Sequence, residues 1–126
     1  MSAVVVDASA LAAVLFDEPE AAPVRASVRG RLIAPHLIRY ELASVCVTRA
    51  IRFPERAPDI DARHALVDSL AIELFEPDWA SLPALARRWA LTAYDAAYLQ
   101  LALAKRAPLV TLDARLAAAF DAATAH

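Results

Sequence analysis

Short, mainly apolar runs alternate along the chain with longer segments whose apolar residues recur at helical spacing. The runs at 3–6, 32–34, 72–75 and 109–111 predict β-strands. They lack the strict apolar–polar alternation of a strand with one solvent-exposed face, which indicates strands that helices cover on both sides. Because a helical segment separates each strand from the next, we expect a three-layer α/β/α fold with a central parallel sheet of four to five strands.

Proline residues and helical periodicity place the predicted helices. The first helix begins near Ser9 and is broken around Pro19, and the third opens at Pro35 and ends at Phe53-Pro54. Further helices are predicted over 20–29, over 59–70, from Asp78 or Ser81 onward, over 93–106 and over 113–123.

Four acidic residues stand where strand-like runs end or the next helix begins, namely Asp7, Glu41, Asp95 and Asp113. A parallel sheet gathers the carboxyl ends of its strands along one edge, where such folds bind ligands. Two carboxylates 4 Å apart repel by about 4 kcal/mol at an effective dielectric near 20, so a cluster of four needs protons or a cation. Oxygen donors without His or Cys suit Mg²⁺ or Mn²⁺. The pattern indicates metal-dependent phosphotransfer or hydrolysis.

The composition narrows the class of protein. A chain of 126 residues corresponds to about one domain, here taken as 1–126. The only glycine is Gly30, which excludes Gly-rich phosphate-binding loops. The only cysteine is Cys46, so no intrachain disulfide forms and a reducing cytoplasm fits. Since no long apolar stretch or export signal is present, we expect a cytoplasmic protein without membrane insertion.

The charged residues leave the partner open. The net charge is −2, which gives no overall electrostatic footprint for nucleic acid. Of the 13 basic residues only Lys105 is a lysine, and the arginines fall in local groups that suit phosphate contacts or, more simply, solvated helix faces. Apolar residues make up 60% of the chain, more than one small domain is expected to bury, which predicts a homodimer and a partner peptide in an apolar groove.

Each carboxylate also has an ordinary explanation. Asp7 and Asp113 are favourable helix N-caps, and Thr92-x-x-Asp95 matches a capping box with Asp in place of Glu. Glu41 lies within an apolar helical segment, where a charge needs a partner or a metal. Arg39 and Arg49 are the alternative structural partners of Glu41.

The joint pattern resembles a known family. Val-Val-Val-Asp-Ala-Ser at 4–9, Tyr-Glu-Leu at 40–42, Tyr-Asp-Ala-Ala-Tyr-Leu at 94–99 and Leu-Val-Thr-Leu-Asp at 109–113 are similar to the PIN domain, and more narrowly to VapC-type ribonuclease toxins. The resemblance implies a metal site at Asp7, Glu41, Asp95 and Asp113, with Ser9 and Thr111 in support. It further implies Mg²⁺ or Mn²⁺ as cofactor, cleavage of single-stranded RNA, neutralisation by a VapB-like antitoxin, and contact with DNA only through that antitoxin.

Departures from the family pattern and alternative functions are few. Leu116 stands where some PIN domains carry a further acid, which puts a fifth ligand in doubt. An aspartate-nucleophile phosphohydrolase would need a second Asp where Ser9 stands, and a receiver domain would need a lysine later than Lys105. The remaining alternative is a non-catalytic PIN-like module that acts within a DNA-binding toxin–antitoxin repressor complex. Cys46, Trp79 and Trp89 are interpreted first as core or dimer-contact residues.

Overall fold

The computed structural model describes residues 2–125 and has one parallel sheet of four strands. The strands are β1 (Ala3–Val6), β2 (Arg31–Pro35), β3 (Glu73–Phe75) and β4 (Leu109–Val110), in the spatial order β3-β2-β1-β4. Parallel pairing sets Val5 beside both Ile33 and Leu109. The predicted fold class, a parallel sheet of four to five strands flanked by helices, is confirmed with four strands in the described residues.

Seven α-helices connect and flank the strands of the described chain. They are α1 (Ala8–Leu15), α2 (Ala21–Ser27), α3 (Leu37–Arg52), α4 (Ala57–Ala65), α5 (Leu82–Trp89), α6 (Ala93–Lys105) and α7 (Ala114–Thr124). Helix α3 packs on α1 and α4, whereas α6 packs on α5 and α7 and against β1 and β2. The main core consists of the sheet residues and the apolar faces of these helices, and it includes Val5, Ile33, Leu42, Leu99 and Leu116.

Strand order fixes where a ligand can bind. The chain moves outward from β1 through β2 to β3 and then returns to place β4 on the other side of β1. The order therefore reverses between β1 and β4. In open α/β sheets, the crevice outside the carboxyl ends of the strands at such a reversal is the preferred binding site.

Several predicted boundaries were wrong for local reasons. Pro35 ends β2 rather than opening α3, because it pairs with Phe75 of β3 and needs no N–H at this position. The predicted helix over 59–70 is α4 with 3₁₀ turns at Pro54–Arg56 and Leu66–Leu70. Pro83 lies in the first turn of α5, where its missing N–H costs nothing.

The single glycine lies at a position that requires it. Gly30 has φ +123°, and a Cβ there would stand 2.3 Å from the backbone oxygen of Ser2. The chain can therefore enter β2 beside its own N-terminal segment only with glycine at this position. No helix within residues 2–125 is long and apolar enough to cross a membrane.

Candidate active site

Asp7 lies at the carboxyl end of β1 and caps the N-terminus of α1. Its side chain is almost fully buried, with 5% of the residue exposed. Oδ1 accepts hydrogen bonds from the Ala10 amide at 3.0 Å and the Ser9 hydroxyl at 2.7 Å, while Oδ2 accepts one from the Thr111 hydroxyl. The capping interpretation of Asp7 is therefore confirmed, and its role in a metal site stays a prediction.

Ser9 and Thr111 join the start of α1 to the turn after β4. The Leu112 amide donates to Ser9 Oγ at 3.0 Å, and the Asp113 amide donates to Thr111 Oγ1 at 2.9 Å. Both hydroxyls donate in turn to Asp7. They therefore hold the ends of β1 and β4 together at the point where the strand order reverses, about 100 residues apart in sequence.

Asp113 caps α7 as Asp7 caps α1. Its Oδ1 accepts hydrogen bonds from the backbone amides of Arg115 at 2.9 Å and Leu116 at 3.0 Å. Oδ2 accepts none from the described residues. The Leu116 side chain is fully buried in the main core, so it contributes nothing to the polar crevice.

Glu41 lies in the second turn of α3 and is half-buried. Its Oε1 accepts a hydrogen bond of 2.5 Å from the Tyr98 hydroxyl of α6. Neither arginine considered as its partner forms an ion pair with it: Arg49 contacts Glu18 at 2.5 Å, and no ion pair involves Arg39 within the described residues. A neutral buried donor, rather than a cation, satisfies this carboxylate.

Asp95 lies in the first turn of α6. The Thr92 hydroxyl accepts a hydrogen bond of 3.1 Å from the Asp95 amide, which forms one half of the predicted capping box. The other half is missing, since the Thr92 amide donates no hydrogen bond to the Asp95 carboxylate. The Thr92 side chain is the one neighbouring group whose hydrogen bonding lowers the pKa of Asp95, so this carboxylate keeps acceptor capacity for other contacts.

The four carboxylates influence one another electrostatically. The pKa of Glu41 is raised, first by burial and then by the charges of Asp95 and Asp7, against the lowering effect of the Tyr98 hydrogen bond. The pKa of Asp95 is raised by burial and by the charges of Asp113 and Asp7. Acids from four separate segments therefore converge on one region at the carboxyl edge of the sheet.

The four carboxylates offer the ligand atoms of a hard-cation site, but they are not arranged around a common coordination centre. All four groups offer oxygen, as Mg²⁺ and Mn²⁺ prefer. As placed, however, no three His, Cys, Asp or Glu side chains among residues 2–125 stand close enough to hold one ion. Like charges without a cation repel, so the carboxylates would have to turn toward one another to bind a metal.

Two residues of this region were missed as functional candidates. Tyr98 was read only as part of the Tyr-Asp-Ala-x-Tyr-Leu block, although its position three residues after Asp95 sets both on one helix face. Burial and the Glu41 carboxylate raise the Tyr98 pKa far above its ordinary value, so its hydroxyl always donates. Arg115 lies near enough for its charge to lower the pKa of Asp95 in part. The two residues are far apart in sequence, so the sequence did not predict that they are close.

The remaining candidates divide between core and surface. Cys46 is buried, as predicted, and burial raises the pKa of its thiol. Trp89 packs against the main core. Trp79 is 67% exposed in a 3₁₀ turn after β3, so it is not a core residue, and its alternative interpretation as a dimer contact stays a prediction.

Comparisons with known proteins agree with this fold. The PIN domain model matches residues 4–121. VapC ribonuclease Mb0985 of Mycobacterium bovis and ribonuclease VapC9 of Mycobacterium tuberculosis are each 39% identical to the chain over 121 residues, covering 90% of it and 87% of the relative. The structure of PAE2754 from Pyrobaculum aerophilum matches 94% of the chain and 79% of its own length, with a TM-score of 0.77 and 27% identity. The chain therefore belongs to the PIN domain family, and its relatives within that family are VapC ribonucleases.

Proposed function

We propose that the protein is a metal-dependent endoribonuclease toxin that hydrolyses single-stranded RNA and is neutralised by a cognate antitoxin in the cytoplasm. The observation that carries the proposal is that Thr111 joins Asp7 and Asp113 at the reversal of strand order, with Glu41 and Asp95 near enough for neighbouring carboxylates to raise their pKa values. Crowded acids at such a place persist in a fold when a cation offsets their repulsion. The ribonuclease names of relatives with 39% identity supply the substrate class.

The four carboxylates would hold Mg²⁺ or Mn²⁺. A carboxylate can accept about four hydrogen bonds, and Asp7 already accepts three, so it has room for one further contact. More acceptor capacity remains on Glu41 Oε2, Asp113 Oδ2 and both oxygens of Asp95. When bound, a divalent cation lowers the pKa of a water, polarises the phosphoryl oxygen and neutralises the carboxylates.

The protein's own groups would orient the reaction. Ser9 and Thr111 fix the Asp7 carboxylate, and the two capped helix ends fix Asp7 and Asp113 relative to the sheet. We assign Asp95 as acceptor of the proton from the attacking water, because burial and the neighbouring carboxylates raise its pKa and no backbone amide of the described residues holds it. Arg115, beside Asp95, is the cation that we expect to contact the RNA backbone.

Cleavage products test the proposed chemistry. Attack by water should expel the 3′ oxygen and leave a 5′-phosphate, without the ribose 2′-OH as nucleophile. We expect internal cleavage of single-stranded RNA in Mg²⁺ or Mn²⁺ and none in EDTA. Asp95→Asn should abolish cleavage, whereas the matched Asp121→Asn, an exposed residue in α7, should not. Cyclic phosphate ends, or full activity in EDTA, would refute the mechanism.

An antitoxin segment would bind the apolar groove beside α1. The groove has a volume of about 330 Å³ and is lined by Leu11, Val14, Leu15, Asp17, Arg25, Arg63, Leu66 and Leu70. Leu66 remains 57% exposed there and Leu70 38%, which suits the apolar face of a partner helix. The groove lies beside the later turns of α1, whose N-terminus Asp7 caps, so a bound segment that continues back along α1 would reach the acidic crevice.

A homodimer would use a different face. Tyr40, Val47 and Ile51 recur on one side of α3 and are 80%, 59% and 76% exposed. Leu66→Asp should weaken binding of the cognate antitoxin and leave the dimer intact, whereas Ile51→Asp should give monomers that still bind the antitoxin. Sedimentation and calorimetry of both variants measure the two effects. An Ile51→Asp protein that remains dimeric would rule out this face.

A further inference from the structure

Tyr98 differs from the other two tyrosines in its surroundings. It is 1% exposed, whereas Tyr40 and Tyr94 are 80% and 67% exposed. Its hydroxyl donates to Glu41 Oε1 at 2.5 Å across a separation of 57 residues. A buried phenol needs a hydrogen-bond partner, and here the group to which it donates is one of the four clustered carboxylates.

Glu41 needs such a restraint more than the two capping aspartates do. The Oδ1 atoms of Asp7 and Asp113 accept hydrogen bonds from backbone amides at the rigid ends of helices. Glu41 has a longer side chain with more rotamers, lies mid-helix, and is repelled by the charges of Asp95 and Asp7. Within the described residues, the Tyr98 hydroxyl is the only group that donates a hydrogen bond to it. Without that bond, repulsion would favour rotamers that turn the carboxylate away.

We infer that Tyr98 is a positioning residue: its buried hydroxyl holds Glu41 Oε1 on α6, so that Oε2 is the oxygen available to a divalent cation. The inference rests on the proposed metal-dependent function. Groups that orient a metal-binding side chain in this way typically change metal affinity or activity by about 10–100-fold when removed. Tyr98 thereby couples α6, which also bears Asp95, to α3, which bears Glu41.

Tyr98→Phe tests the role because it removes one oxygen and keeps the buried ring. We expect Mn²⁺, titrated alone by calorimetry, to bind about 10-fold more weakly, and kcat to fall by about 10–100-fold with little change in KM. The matched control is Tyr94→Phe, which removes an exposed hydroxyl next to Asp95 and should bind Mn²⁺ as the wild type does. Circular dichroism and urea unfolding in EDTA should show a folded protein.

A double-mutant cycle separates positioning from a general packing role. If Tyr98 acts through Glu41, Tyr98→Phe should cost no further Mn²⁺ affinity in a Glu41→Gln background. Additive losses would overturn the inference, as would wild-type Mn²⁺ affinity in Tyr98→Phe or a variant that does not fold without metal. A wild-type protein that does not bind Mn²⁺ at all would instead refute the proposed function, so the two failures are distinguishable.

Discussion

Asp7 and Asp95 should respond in opposite ways to the same substitution. Both are expected to bind metal, but Asp7 also caps α1 and accepts the Ser9 and Thr111 hydroxyls. Asp95, in contrast, accepts no backbone amide of the described residues and has only the Thr92 side chain as a hydrogen-bonding neighbour. In EDTA, Asp7→Ala should therefore destabilise the protein. Asp95→Ala should leave stability unchanged or raise it, because it removes a charge that Asp113 and Asp7 repel.

The contacts of Asp7 set the size of the effect. Loss of an N-cap costs about 0.5–2 kcal/mol. Loss of the charged acceptor for the half-buried Thr111 hydroxyl costs about 1.5–3 kcal/mol, while the exposed Ser9 hydroxyl can donate its hydrogen bond to water instead. Relief of repulsion from Glu41 and Asp95 returns about 1–2 kcal/mol in all, for separations of about 4–8 Å at water-like screening. We expect a net loss of about 1–3 kcal/mol, since the hydrogen bonds outweigh the repulsion.

Urea unfolding in EDTA measures both variants. With a slope of about 2 kcal/mol per molar urea, the Asp7→Ala midpoint should fall by about 0.5–1.5 M. The Asp95→Ala midpoint should stay or rise, although the variant loses a favourable charge at a helix N-terminus worth about 0.3–1 kcal/mol. Equal losses in the two variants would refute the distinction between a carboxylate that supports the fold and one that does not.

Three further predictions concern other parts of the molecule. Because the pKa values of Glu41 and Asp95 are raised on folding, their stabilising contribution is complete below the ordinary values of 4.5 and 3.8 and is lost as pH rises through the folded-state values. In urea titrations in EDTA, the wild type should therefore gain stability relative to the double variant Glu41→Gln/Asp95→Asn as pH falls from 7.5 toward 5. Leu116→Ala, at a fully buried core position, should cost about 2–5 kcal/mol in the same assay, and a smaller loss would mean that the core collapses around the cavity. Ala90, which ends α5 at φ 55°, should be replaced favourably by glycine, raising stability by about 1 kcal/mol, and a destabilised Ala90→Gly protein would contradict the left-handed cap.

Local sequence determined the elements and their order. The run Val4–Val6 is apolar at every position, which is enough to identify a strand buried on both faces, and all three residues are buried. The strand–helix alternation then restricted the fold to a parallel sheet, whose carboxyl ends share one edge. Asp7 and Asp113 could be placed at that edge from sequence because Asp7 directly follows β1 and Asp113 closely follows β4.

Long-range packing decided what each carboxylate contacts. The sequence offered Arg39 and Arg49 as alternative partners of Glu41, since both lie on the same helix. Arg49 instead pairs with Glu18, and the partner of Glu41 is Tyr98 on α6. Similarly, Ser9 and Thr111 meet at Asp7 only because β4 pairs with β1 rather than with β3. Helical periodicity reports which face of a segment is apolar, but which polar groups meet across the sheet depends on strand order and helix packing, and these arise from contacts between residues far apart in the chain.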